Sequence, residues 1–377
     1  MKNEHTRFIY IDLLRGWALI IMIEVHVFNA FILASLKETG WFHLLNFING
    51  LVAPAFLFVS GFAFIISTER RLEDLRKFKG YFWKKMSRIG LIFLVGYSLH
   101  LPFYSFTKIV NNPTYGYLIS WFNVDILQCI ASGLLLLLLL RITIKNERLF
   151  YYFLIWLVIL ISLFSPLIWK IDFSKYIPVF FAAYFNPNNG SYFPLFPWLF
   201  FLLSGAVCSR YYITARTDKR ENNFIKKILL YSLIPIFLGH LLFSDLFNSP
   251  IFSIRPNPIF LYQRLGYILV LSSFFWYYSN ARQTKKSFVL DVSRESLLIY
   301  WLHLEVIYSK IWAGRSLAEI IGSSLSIIEC IGVTVALLFF MILVGNIWGA
   351  IKKKYPPYIR PAVSTLILVA ILIFFLR

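Results

Sequence analysis

YIDLLRGWALIIMIEVH, residues 10–26, lies inside an apolar run that extends from 9 to 35, yet it carries Asp12, Arg15, Glu24 and His26. The run exceeds the roughly 20 residues that cross a bilayer as a helix. A charged side chain at the centre of such a helix costs about 2.5–3.5 kcal/mol and is retained where a partner or water meets it. Helical geometry sorts the four groups. At about 100° per residue, Asp12, Arg15, Leu19, Met22, His26 and Asn29 fall in one stripe, while Glu24 points away from Arg15 toward some other partner. Asp12 and Arg15, three residues apart, can pair near one end. His26 lies about 16 Å farther along at a rise of about 1.5 Å per residue. Such a stripe suits a ligand that enters past charged groups and reacts at the imidazole. It equally suits an interfacial salt bridge and a histidine that hydrogen-bonds a neighbouring helix.

Runs of the same kind recur at 45–67, 89–107, 121–141, 149–170, 192–211, 226–246, 259–279, 288–311, 322–349 and 362–376. They predict an all-α, polytopic membrane helix bundle of about eleven transmembrane helices, formed by residues 1–377 as a single domain. The composition agrees: the chain is 59% hydrophobic, against about 45–50% in soluble domains. Its net charge of +19 does not point to nucleic acid, because the basic residues are sorted by segment. Of the 37 Lys and Arg, 26 fall in alternate connecting segments, eight in the others and three within helices. An excess of that size marks the cytoplasmic side and predicts a cytoplasmic N-terminus and an outer C-terminus. Cys129, Cys208 and Cys330 show no paired spacing and imply neither a disulfide framework nor a zinc site. The first run is too long and too charged for a signal-peptide core and reads as a retained helix. The outer segment 171–191 contains the turn-rich FNPNNGSYFP, which could cap an outward-facing cavity. TERRLEDLRKFKGYFWKKMSR, residues 68–88, reads as a helical inner connector.

The first run also carries a resemblance. Asp12, Arg15, Gly16, Ala18, Met22 and His26 stand in the order of the first-helix signature of the transmembrane acyltransferase superfamily. That superfamily includes the bacterial acyltransferase-three family and relatives of heparan-α-glucosaminide N-acetyltransferase. PAFLFVSGFAF, 54–64, resembles the second-helix signature with its Ser60, Gly61 and Phe62. WKKMSRIG resembles an Arg-x-x-Arg motif assigned to acyl-CoA binding, with Lys85 in place of the first arginine and Arg88 matching the second. Lysine keeps the charge there and loses the planar, bidentate grip on phosphate. DILQCIASGLLL at 125–136, YFPLFPWLFFLLSGA and SRESLLIYWLH at 293–303 resemble later segments in the same order.

The resemblance implies a membrane acyltransferase. It would move an acyl group, acetyl above all, from cytoplasmic acyl-CoA to a hydroxyl or amine of an extracytoplasmic glycan or glycolipid. The bacterial cytoplasmic (inner) membrane is the expected location. Acetyl-CoA is the implied donor, and no metal is implied. The expected partners are acyl-CoA, the sugar or glycolipid acceptor, membrane lipids and a second copy of the chain in a homodimer. His26 is the implied general base or transient acyl carrier, with Asp12 beside it in the catalytic set and His43 as a rival in GWFHLLNF. Arg15, Lys85, Arg88 and Arg294 are candidates for the donor phosphates. Asp125, Gln128 and His303 are candidates for acceptor binding. Asp125 could instead orient His26 or a structural water, and His303 could serve interhelical packing. His100, His240 and Arg264 read as structural. Intramembrane charges also suit a secondary transporter or lipid flippase, although the two matching halves of many transporters are not visible. A non-catalytic sensor on the same fold is the remaining reading.

Overall fold

The computed structural model describes residues 8–101, 104–111, 120–242, 253–282, 287–310 and 314–376. Lys2, Arg7, Lys285, Lys286 and Arg377, which enter the topology reading, lie outside the described residues, as do parts of the expected spans 89–107, 226–246 and 288–311. The regular structure among the described residues is helical. In chain order the helices are α1 (Ile9–Phe31), α2 (Gly40–Asn49), α3 (Val52–Glu69), α4 (Leu72–Arg76), α5 (Gly80–Ser98) and α6 (Phe106–Asn111). There follow α7 (Ile126–Thr143), α8 (Glu147–Ile168), α9 (Val179–Ala182), α10 (Leu195–Thr217), α11 (Glu221–Leu242) and α12 (Pro258–Arg282). The last are α13 (Phe288–Arg294), α14 (Ser296–Tyr308), α15 (Leu317–Ile321), α16 (Ile327–Lys354) and α17 (Pro356–Leu376). Seven helical stretches among the described residues are long and apolar enough to cross a membrane.

Local chemistry moves several boundaries. The expected span 121–141 begins at Ile126, because the Asp125 carboxylate accepts the Ile126 N–H at 2.7 Å and caps the helix there. The span 89–107 is a helix from Gly80 to Ser98, extended backward through the basic connector. The span 288–311 is two helices, because Glu295 leaves helical geometry at φ −108°, ψ 30°.

The chain forms two compact, interleaved units. The first comprises Met1–Ala18, Gly50–Gly96 and Val124–Lys285. Its centre is the packing of α3 on α10, where glycines let two backbones meet. A Cβ on Gly61 would run into the carbonyl oxygen of Leu202, and one on Gly205 into that of Phe58. Small residues at such crossings replace the hydrophobic drive that lipid cannot supply. The same unit holds a charge cluster. Arg141, fully buried, donates from one terminal nitrogen to both oxygens of Glu147, at 2.7 and 2.6 Å, and from the other to Glu69. Arg210 reaches Glu69 at 3.2 Å, and Arg76 binds the carbonyl oxygens of Arg141 and Ile144. The cluster ties together the ends of α3, α7 and α8 with α4 and α10.

The second unit comprises Leu19–Asn49, Tyr97–Asn123 and Lys286–Arg377. The C-terminal end of α1 is fixed by a short parallel bridge, in which Leu33 N–H donates to Leu325 O at 2.9 Å and Leu325 N–H to Phe31 O at 2.8 Å. At the break between α13 and α14, the Glu295 carboxylate accepts from Lys352 of α16 at 2.6 Å. Helix α14 is thereby anchored at its start, and its remaining turns carry the residues of interest.

Candidate active site

Helix α1 forms as its stripe predicts. Arg15 donates to Asp12 at 2.9 Å, with Asp12 buried and Arg15 partly exposed. Glu24, on the opposite side, bonds the Asn49 side chain at the end of α2. The sequence left that partner unnamed; the last residue of α2 supplies it.

The second unit brings His26 and His303 together, with their ring centroids 5.3 Å apart. His303 is fully buried. Its Nδ1 lies 2.8 Å from the carbonyl oxygen of Ile299, one turn earlier on α14. A carbonyl only accepts, so Nδ1 carries the proton and Nε2 presents a lone pair. That Nε2 is buried and has no hydrogen-bond partner among the described residues. An orphaned buried acceptor costs about 1–3 kcal/mol. Tyr300 packs its ring 5.7 Å from His303, edge-on. A third group, absent from the sequence reading, completes the cluster: the Tyr308 hydroxyl lies 3.3 Å from His26 Nδ1 and 3.4 Å from the His26 carbonyl oxygen. A tyrosine at the end of an apolar helix reads as an interfacial aromatic, so no sequence signal separates it from the chain's other 21.

Asp125 and Gln128 belong to the first unit and form a capping box, with Asp125 N–H donating to Gln128 Oε1 at 3.2 Å. Gln128 is fully buried and its Nε2 has no partner among the described residues. Thus two of the three expected acceptor residues, Gln128 and His303, each hold a buried polar atom with no partner among the described residues.

Of the expected donor residues, Lys85 and Arg88 share one turn of α5. Lys85 Nζ donates to Ser67 Oγ at 2.6 Å and sits over the rings of Phe64 and Tyr81, each at 5.4 Å. Lys85 belongs to the basic connector, before the apolar part of α5, and its ammonium is brought down to about 8 by burial first and then by Arg88 and Lys84. Arg88 is exposed. Arg294, in the second unit, pairs with Asp291 at 2.8 Å.

The rival histidine, His43, is exposed on α2. His240 bonds the Tyr267 hydroxyl at 2.6 Å. Arg264 lies 4.2 Å over the Phe260 ring and against the backbone of Gly50.

Seven helical stretches among the described residues, long and apolar enough to span a bilayer, define the class, an integral membrane protein. A family model described as heparan-alpha-glucosaminide N-acetyltransferase, catalytic, matches residues 7–244, more than half of the chain. The chain therefore belongs to that family of membrane acetyltransferases, which in general use an acetyl-CoA donor. A search of curated proteins gave no match. The matched residues include Asp12, His26, Lys85 and Gln128, and end before Arg294, His303 and Tyr308.

Proposed function

We propose that the protein transfers an acetyl group from cytoplasmic acetyl-CoA to a hydroxyl or amine of an extracytoplasmic glycan or glycolipid. The observation that carries this reading is the His26–His303 pair. Two imidazoles in contact, one with a buried unmet lone pair, are suited to receive a group that brings an O–H or N–H.

The residues fit the donor. Its phosphates need cations at the inner face, and Lys85 and Arg88 stand on the most basic connecting segment. Lys85 is held by one hydroxyl and two aromatic faces, which leaves a fixed point charge for a phosphate oxygen. Arg15, screened by Asp12 on one side, and Arg294, beside Asp291, are the further candidates. Asp12 would set the orientation of the Arg15 guanidinium.

The proton accounting is short. An imidazole nitrogen of His26 takes the proton of the acceptor group as its oxygen or nitrogen attacks the thioester carbonyl. The carbon–sulfur bond breaks, and the departing thiolate is protonated from the imidazolium, which returns His26 to its neutral form. In the two-step route an imidazole nitrogen of His26 attacks the thioester, the carbon–sulfur bond breaks, and coenzyme A leaves as the thiol with the imidazole proton. The acceptor then attacks the acyl-imidazole, and its proton passes to the departing imidazole. His303 Nε2 accepts the second hydrogen bond of the acceptor, or the bond of a neighbouring sugar hydroxyl. Asp125 and Gln128, which belong to the first unit, are the other acceptor-side candidates.

The test uses purified protein in sealed vesicles of known orientation, with labelled acetyl-CoA on one side and an amino-sugar or hydroxyl-sugar glycolipid on the other. Label should appear on the acceptor only when donor faces the basic connectors. Label confined to an acceptor on the donor side would overturn transfer across the membrane.

A further inference from the structure

The geometry points to Tyr308 as the residue that positions His26 and fixes which of its nitrogens reacts. The inference rests on His26 as the reacting residue and adds a role for a side chain beyond the family-matched segment. Tyr308 closes α14, five residues after His303, and its hydroxyl meets His26 twice. The hydroxyl oxygen is 3.4 Å from the His26 carbonyl oxygen and 3.3 Å from the His26 Nδ1. The two rings stand edge to face, 5.6 Å apart at 81°.

A phenol has one proton to give and lone pairs to accept with. In this assignment the Tyr308 hydroxyl donates to the His26 carbonyl, which can only accept. The hydroxyl oxygen then faces Nδ1 as an acceptor, and Nδ1 carries the hydrogen. The proton of a neutral imidazole placed on Nδ1 leaves Nε2 with the lone pair. The partner of one ring nitrogen thus sets the chemistry of the other. In water the free side chain favours the opposite tautomer, with the proton on Nε2, so the protein must impose this one. Tyr308 is suited to do so because its second contact, to the backbone of the same residue, orients the hydroxyl independently of the ring. His303 reaches the same state by the same device, since the Ile299 carbonyl holds its Nδ1 proton. Both imidazoles of the pair then present Nε2 as the basic atom.

The full-length protein labelled with 15N-histidine contains six histidines, and His26→Ala assigns the His26 signals by their loss. The unsubstituted protein should show His26 with Nδ1 protonated and Nε2 pyridine-like. Tyr308→Phe should move these signals toward the opposite tautomer and lower kcat at least about tenfold, with donor KM within about twofold of its original value. A His26 that carries its proton on Nε2 in the unsubstituted protein overturns the assignment, whether or not the variant folds. So does a Tyr308→Phe protein with unchanged nitrogen signals and unchanged kcat. If His26→Ala retains full transfer, His26 is not the reacting residue, and the nitrogen signals still decide separately whether Tyr308 sets its tautomer.

Discussion

The charge cluster around Arg141 and the imidazole pair at His26 and His303 are both polar islands among apolar helices, built in opposite ways. Arg141 commits both terminal nitrogens to carboxylates and lies 4.7 Å over the Phe150 ring. His303 commits one nitrogen to the backbone, and the other is buried without a partner among the described residues. Burying a charge is costly unless it is paired and bonded, so the first island is held closed by the fold. The second retains an unmet group at an energetic disadvantage that folding alone does not explain. Arg141 Nε is likewise buried without a partner among the described residues, so the difference lies in charge: the first island is ion-paired, the second is a neutral imidazole and the candidate for chemistry.

That contrast predicts opposite responses to substitution. The largest effect is expected from Arg141→Ala, which removes the buried cation shared by Glu69 and Glu147 and leaves them only Arg210 at 3.2 Å and Arg76 at 3.7 Å. It should lower stability by about 3–5 kcal/mol, read as a loss of monodisperse, folded protein and a lower Tm in detergent. An unchanged Tm would show that the cluster is not a structural tie.

His303→Leu should do the reverse. Removing the orphaned nitrogen keeps Tm level or raises it, while kcat/KM for the acceptor falls about 10–100-fold, as expected when about 1–3 kcal/mol of bonding to a buried polar group is lost. Lost folding together with retained specific activity would reverse the roles assigned to the two islands.

The donor end gives a smaller effect. Lys85→Ala should raise the KM for acetyl-CoA about tenfold with little change in kcat, the pattern of a lost binding contact. Because Lys85 loses its proton at about pH 8, donor KM should climb above that pH in the unsubstituted protein. The charged form binds phosphate and the neutral form does not, so affinity is present below the shifted value and lost above it. Lys85→Arg should flatten the rise, since arginine stays charged throughout. A KM indifferent to both variants would leave the basic connector with a topological role only.

Asp125→Asn sharpens the comparison within one residue. Asparagine caps a helix about as well as aspartate, so stability should hold while any carboxylate contribution to acceptor binding disappears, raising acceptor KM a few-fold. Unchanged acceptor kinetics would confine Asp125 to capping α7.

The apolar runs made the helices legible, and the i,i+3 spacing made the Asp12–Arg15 pair legible. Boundaries escaped where a single cap or break decided them. SRESLLIYWLH has no breaker that announces the turn at Glu295, and the side-chain bond to Lys352 lies 57 residues away in sequence. The Arg141 cluster was hidden for the same reason: Glu69 and Arg141 are 72 residues apart, each in a segment that reads as a solvated connector. His303 was visible as a histidine in an apolar helix. Its orphaned nitrogen and its contact with His26 were not, because both depend on where α14 lies beside α1. Tyr308 could be found only after those helices were placed.

The central claim is that His26 performs the acyl transfer. His26→Ala, purified in the same detergent and compared at equal folded concentration, should show the Tm of the unsubstituted protein, donor affinity within about twofold, and acyl transfer reduced by about 10²–10⁴-fold. Transfer at the unsubstituted rate, with acetyl-CoA hydrolysis also intact, would contradict it.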